Sequence, residues 1–186
     1  MPDRGMPGQT VVNHRNMEHK ILIHRYSSPC GELVLGAYGD RLCLCNWVIE
    51  KHPGRIERRL RSLLQAGIEE GEPEILNEAA AQLDQYFRLE RENFDIPLLF
   101  AGTDFQKKVW KQLTEIPYGQ VVSYGKLAAA LGMPEAVRAV ANANGANAIS
   151  IFVPCHRVTG SDGSLTGYGG GLEAKRFLLS LERYGR

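Results

Sequence analysis

No apolar run in this 186-residue sequence approaches the ~20 residues that a membrane-crossing helix needs. The start is equally poor in apolar residues: Met1–Met17 is polar, contains Pro and Gly and lacks the core of a secretory signal, so residues 1–17 are expected to form a disordered tail on a cytoplasmic protein. Cysteine is scarce. Four thiols (Cys30, Cys43, Cys45 and Cys155) are too few and too unevenly spaced for a disulfide framework, which points to a reducing compartment. No C-x2-C pair is present; a metal site from Cys43, Cys45, His24, Cys30 and His52 is conceivable, but core packing is the weightier use of these thiols and no metal is expected. Net charge is nearly absent at +1, which hides an asymmetry: residues 1–98 carry 12 basic against 15 acidic side chains, residues 99–186 carry 10 against 6. A basic second half agrees with nucleic-acid contact there.

What is present is a hydrophobic content of 44%, enough for one large domain or two small ones. The pattern predicts an α+β protein. Lys20–Tyr26, Glu32–Tyr38 and Leu42–Val48 read as strands of an antiparallel meander, broken by the turn residues Ser27–Gly31 and Gly39-Asp40. Helical periodicity follows over Ile56–Leu64 and Glu78–Leu89, then a short strand around Phe94–Leu98. A small N-terminal antiparallel-sheet domain with helices is therefore expected over 18–98, and a mainly helical C-terminal domain over 99–186. In the latter, Thr103 or Asp104 caps a helix through Leu113, Ser123 caps a second over Tyr124–Leu131, and Pro134 opens a third that stops at Gly145. The last two form a helix-turn-helix candidate.

The third helix is unusual for a DNA reader, because Arg138 is its only cation and small residues surround it. Val137, Val140 and Ala141 are expected to face the core, with Ala136, Ala139 and Ala143 elsewhere. Such a helix suits close approach to a minor groove, with Arg138 reaching into the duplex, and equally suits an Ala-rich packing helix with one solvated arginine. The final helix, Leu172 to about Arg183, places Ala174, Phe177, Leu178 and Leu181 on a buried stripe. Glu182 lies at its edge, able to orient and charge a histidine.

The residues that point to chemistry are Pro154-Cys155-His156-Arg157-Val158, preceded by the apolar run Ile149–Val153, read as a buried strand, and followed by the glycine-rich stretch Gly167–Gly171. A thiolate attacks carbon, and a basic neighbour favours the thiolate. In an extended segment Cys155 and His156 would point to opposite faces, so the pair works only if the chain turns or a water bridges them.

Together with Ser123-Tyr124-Gly125, Arg138-Ala139-Val140, Asn147, Gly167-Tyr168 and Gly170-Gly171-Leu172, the Cys155 motif resembles the O6-alkylguanine-DNA alkyltransferases over roughly Thr103–Glu182, with a weaker likeness before it. The resemblance implies a ribonuclease-H-like N-terminal domain and single-turnover repair. The alkyl group of O6-alkylguanine, or O4-methylthymine, in double-stranded DNA would pass to Cys155, with neither metal nor organic cofactor, on a monomer bound at the minor groove. It also implies His156 as water-mediated base, Glu182 polarising it, and Asn147 tying the helix pair to the active segment. Tyr124 would push the base phosphate, Arg138 fill the gap, Tyr168 and the Gly169-Gly170 backbone line the pocket, and Ser161 and Gln106 touch the DNA backbone. One departure is Ala148, where many relatives carry proline after the asparagine. Three other readings compete with this one. Cys155 speaks against a non-catalytic damage binder, the length and the missing four-cysteine cluster against an adaptive-response regulator, and Arg138 with no oxyanion-hole signature against a cysteine hydrolase.

Overall fold

The computed structural model describes residues 20–49 and 52–185; the tail expected over residues 1–17 lies outside them. Strands β1 (Lys20–Ser28), β2 (Gly31–Tyr38) and β3 (Arg41–Trp47) form the expected meander. Tyr38 pairs with Arg41 across Gly39-Asp40, a two-residue turn in which Gly39 takes φ 62°, the left-handed conformation that glycine adopts without cost. Helix α1 (Arg55–Leu64) then leads to β4 (Gly67–Glu70), which joins β1 in parallel and gives the order β3-β2-β1-β4. The sequence reading misses β4, because a four-residue edge strand with one large apolar residue has no alternation to detect. Helix α2 (Glu74–Phe87) begins one turn earlier than expected and packs on β1, β2 and β3 through Leu76, Ala79, Leu83 and Tyr86, a helical stripe of the sheet-facing kind.

The strand expected around Phe94–Leu98 is not formed. Only Leu98 bridges to Leu42, with the Leu42 N–H donating to the Pro97 carbonyl and the Leu99 N–H to the Leu42 carbonyl, each at 2.9 Å. Pro97 has no N–H to give a ladder, and the Asp95 N–H is taken by the Gln82 side chain.

The C-terminal half carries α3 (Asp104–Thr114), α4 (Tyr124–Ala130), α5 (Val137–Gly145) and α6 (Gly171–Tyr184), with a two-residue parallel ladder between β5 (Val122–Ser123) and β6 (Val158–Thr159). Thr103 and Gln106 form a reciprocal capping box at α3, and the Ser123 hydroxyl accepts from the Lys126 N–H at α4. Helix α5 starts three residues after Pro134, because Met133–Ala136 closes a turn of its own through an Ala136 N–H to Met133 carbonyl bond of 2.9 Å. Its buried face is Val140, Ala143 and Asn144; Val137 is 36% exposed, contrary to the reading that turned it inward.

The apolar run Ile149–Val153 is buried but is not a strand. Ile149 bridges Cys45 and Ser150 pairs with Val153, while Ile151 adopts φ 73°. A β-branched residue in that region costs about 1–3 kcal/mol and persists only where the surroundings hold it. They do: the Cys45 N–H donates to Ala148 at 2.9 Å, the Ser150 N–H to Cys45 at 2.8 Å, and the Val153 N–H to Ile149 at 2.9 Å. The segment leading to Cys155 is thereby fastened to β3, and residues of both halves share one core. Among the described residues, no helix is long and apolar enough to cross a membrane.

Candidate active site

Cys155 opens a 3₁₀ turn, Cys155–Arg157, whose three side chains fan out by about 120° per residue rather than alternating across a strand. All three are buried. The turn the Cys-His pair requires is therefore present.

Asn147, just beyond α5, pins the sulfur. Its Nδ2 donates to Cys155 Sγ at 3.1 Å and to the Val153 carbonyl at 2.9 Å, while its Oδ1 accepts from the Ile149 N–H at 3.0 Å. The geometry holds with Ala148 in place of proline. Burial pushes the Cys155 thiol up, and the Asn147 amide, the nearby Lys175 charge and the Ser150 side chain act against that rise. Lys175 is fully buried on α6, where its Nζ donates to the Val158 carbonyl at 2.6 Å and the Thr166 carbonyl at 2.9 Å, joining the strand after the turn to the glycine-rich loop. Lys175 carries no sequence signal, since a lysine beside Arg176 reads as a solvated face.

His156 Nε2 lies 2.7 Å from Glu182 Oε1. Arg157 grips the same carboxylate with two bonds, Nε to Oε2 at 2.9 Å and a terminal nitrogen to Oε1 at 3.0 Å, and donates to the Ile116 carbonyl at 2.6 Å. Tyr86 of α2 donates its hydroxyl to Oε1 at 2.8 Å, and the Gly119 N–H reaches Oε2 at 3.2 Å. Burial raises the Glu182 carboxyl, but the bonds and charges of His156 and Arg157 outweigh it and hold the group below the usual carboxylate range. Burial lowers His156, with the Arg157 and Lys175 charges adding to the effect and Glu182 opposing it. Glu182 is thus the anion and His156 the neutral ring. Nε2 then carries the hydrogen given to Glu182, which leaves the lone pair on Nδ1, a buried atom with no hydrogen-bond partner among the described residues. No local sequence signal gives Arg157 and Tyr86 these roles. A long cation inside the motif looks like a surface residue until its partner 25 positions away is known, and Tyr86 is separated from Glu182 by 96 positions.

Above the turn lies a groove of about 840 Å³, lined by α5 (Ala139, Asn142, Gly145), Tyr124, Gln106, the Thr166–Gly169 loop, and His52 and Arg55 of the N-terminal half. A smaller cavity of about 20 Å³ touches Cys155, Asn144, Asn147, Ser150, Tyr168 and Gly169. Gly145, Gly167, Tyr168 and Gly169 border both. Gly170 has no room for a side chain, since a Cβ there would fall 2.3 Å from the Trp47 ring, and Trp47 in turn meets the Tyr168 ring edge-on at 5.8 Å. Arg138 and Ser161 are exposed and border neither cavity. Gln106 spends its side-chain oxygen on the Thr103 N–H. Cys43 and Cys45 are fully buried in β3, where burial pushes the Cys43 thiol up to about 12, and no group of three or more His, Cys, Asp or Glu side chains among the described residues is placed to hold a metal ion.

A buried thiol, held by an amide beside a histidine–carboxylate–arginine chain and roofed by a groove, makes a candidate cysteine site on the helical half. Residues 104–184 match the family described as 6-O-methylguanine DNA methyltransferase, DNA binding domain, and residues 21–100 its ribonuclease-like domain. The constitutive methylated-DNA–protein-cysteine methyltransferase of Bacillus subtilis is 44% identical over 162 residues, covering 84% of this chain and 92% of that protein. The enzyme of the same name from Methanosarcina barkeri is 56% identical over 108 residues, covering 58% of this chain and 68% of the relative. The crystal structure of Mycobacterium tuberculosis O6-methylguanine methyltransferase superposes with TM-score 0.74 at 42% identity, covering 88% of this chain and 93% of that one. A structure of the Mycobacterium tuberculosis protein in complex with DNA gives TM-score 0.73 at 41% identity, covering 88% and 92%. The chain belongs to the methylated-DNA–protein-cysteine methyltransferase family.

Proposed function

We propose that this chain repairs alkylated DNA by direct reversal and that Cys155 is the acceptor, used once. The observation that carries the assignment is the Cys155 thiol held by Asn147 in one turn with a buried His156–Glu182–Arg157 chain, beneath a groove on the helical half. In this reading the His156 Nδ1 lone pair takes the Cys155 proton through a water, and the thiolate attacks the alkyl carbon of O6-alkylguanine. The S–C bond forms as the C–O6 bond breaks, the bond pair goes to O6, and the base recovers a proton at N1 as the imidazolium gives one up. No electron is gained or lost and no metal or organic cofactor enters. The product thioether resists water, so each molecule acts once.

The lesion base must leave the duplex to reach a buried sulfur, which costs a few kcal/mol. Arg138, exposed on α5 among small residues, is assigned to fill the vacated place from the minor groove, with Tyr124 displacing the phosphate and Tyr168 and Gly169 walling the base. Ser161 and Gln106 are assigned backbone contacts. The α4–turn–α5 unit serves as a helix-turn-helix; residues 18–98 support and 99–186 act. The protein works on DNA in the cytoplasm as a monomer, and O4-methylthymine is its second substrate. The test is stoichiometric: with a tenfold excess of duplex bearing one O6-methylguanine, restored guanine should plateau at one per protein chain, with none from Cys155→Ser. Continued turnover beyond one, or repair by the variant, would overturn the assignment.

A further inference from the structure

Trp47 is buried at the end of β3, in the N-terminal half, and borders neither the groove nor the small cavity. The loop that walls both spaces nevertheless rests on it. A Cβ at Gly169 would lie 3.6 Å from the indole and one at Gly170 only 2.3 Å, and Tyr168 meets the ring edge-on at 5.8 Å. Two polar atoms at this contact are unpaired: Trp47 Nε1 and the Tyr168 hydroxyl oxygen are buried without a hydrogen-bond partner among the described residues. Buried polar groups in folded proteins are nearly always paired, and these two are complementary, since an indole N–H only donates and a phenol oxygen accepts. Of the side chains that act on the Tyr168 hydroxyl, Trp47 is the one that does so as a hydrogen-bond donor, although the bond is not made in this position of the loop.

The loop is built to move by the small amount that would make it. Lys175 holds the Thr166 carbonyl at 2.9 Å, and Gly171 opens α6 at φ 83°. Between these fixed points stand Gly167, Tyr168, Gly169 and Gly170, so Tyr168 is the one residue there with a side chain. Movement is also required, because the cavity of about 20 Å³ against Cys155 has room for about one water and not for a base. We infer that Trp47 is a positioning residue for alkyl transfer: its indole N–H donates to the Tyr168 hydroxyl when the loop shifts to admit the base, so that the N-terminal half holds the loop in its reacting position. The inference rests on the alkyl-transfer reading above.

Two measurements test it. Trp47→Phe keeps an aromatic ring under the loop and removes the donor, and Tyr168→Phe removes the acceptor. With saturating duplex bearing one O6-methylguanine, each should slow single-turnover transfer by about fivefold, and the double variant should be no slower than either single one. Losses that multiply in the double variant would show two independent structural effects and overturn the inference. The second measurement keeps both side chains: Cys155→Ser, which cannot accept the alkyl group, is mixed with the same duplex and its indole N–H resonances are followed by NMR. Trp110, whose indole already donates to the Ala143 carbonyl at 2.8 Å, is the internal reference. The Trp47 signal should move downfield with the lesion-bearing duplex and stay in place with undamaged duplex. A Trp47 signal that stays in place with both, or moves equally with both, would overturn the inference whether or not Trp47→Phe folds. If it moves as expected and the native chain transfers no methyl group, the alkyl-transfer reading fails while the Trp47–Tyr168 contact stands.

Discussion

Glu182→Gln should lower the stability of the folded chain by about 3–5 kcal/mol, because it leaves a buried arginine without its counter-charge. The carboxylate receives bonds from His156, Arg157, Tyr86 and Gly119, and an amide has one acceptor oxygen where the carboxylate has two. The loss should appear as a shifted urea midpoint with little change in slope. A second signature is in acid. Since Glu182 is held below the usual carboxylate range when folded, the unfolded chain binds the extra proton. The stability it contributes is complete above the ordinary carboxylate pKa and falls as pH drops toward the depressed folded value. That part of the acid slope should vanish in Glu182→Gln. His156 works in the same direction: lowered by burial, it is protonated first in the unfolded chain, so stability also falls as pH drops below its ordinary value. Transfer by Glu182→Gln should slow by about 100-fold, the scale of a mis-set general base. An unchanged acid slope would show that Glu182 is not ionised in the folded chain.

Asn147→Leu should be the most damaging change that keeps every charge. It strands the Ile149 N–H in a buried segment, leaves the Val153 carbonyl with the Cys155 N–H as its donor, and removes the donor to Cys155 Sγ. One unsatisfied buried backbone N–H predicts a loss of about 1–3 kcal/mol, in a segment already strained at Ile151. The thiol also loses a group that favours its anion, so the rate of Cys155 alkylation by iodoacetamide at fixed pH should drop, and its pH midpoint should rise. An Asn147→Leu protein with native stability and an unmoved midpoint would contradict this role.

How legible the site was in the sequence follows from distance along the chain. Cys155 and His156 are neighbours in a distinctive motif, and Glu182 is legible because the stripe Ala174, Phe177, Leu178 and Leu181 fixes which way α6 faces, although Phe177 itself is exposed and Ala174 and Leu178 are the members that are fully buried. The caps at Thr103 and Ser123 were likewise local, being side-chain to backbone bonds three residues long. What failed was nonlocal. Ile149–Val153 has strand-like composition, but periodicity cannot separate a buried strand from a buried turn, and the bonds of Ala148, Ser150 and Cys45 decide the matter. Burial of Arg157 and Lys175 depends on carbonyls and a carboxylate brought from other elements. Val137 is exposed because α5 opens there and not at Pro134, three residues earlier.

The central claim is that Cys155, and no other thiol, receives the alkyl group. The most direct measurement is intact-protein mass spectrometry after reaction with an O6-methylguanine duplex, followed by peptide mapping of the four cysteines. The account predicts a gain of one methyl group per chain, saturating there and located on the peptide bearing Cys155, with Cys30, Cys43 and Cys45 unmodified. A methyl on any of those three, or a repaired duplex with no gain in protein mass, would contradict it.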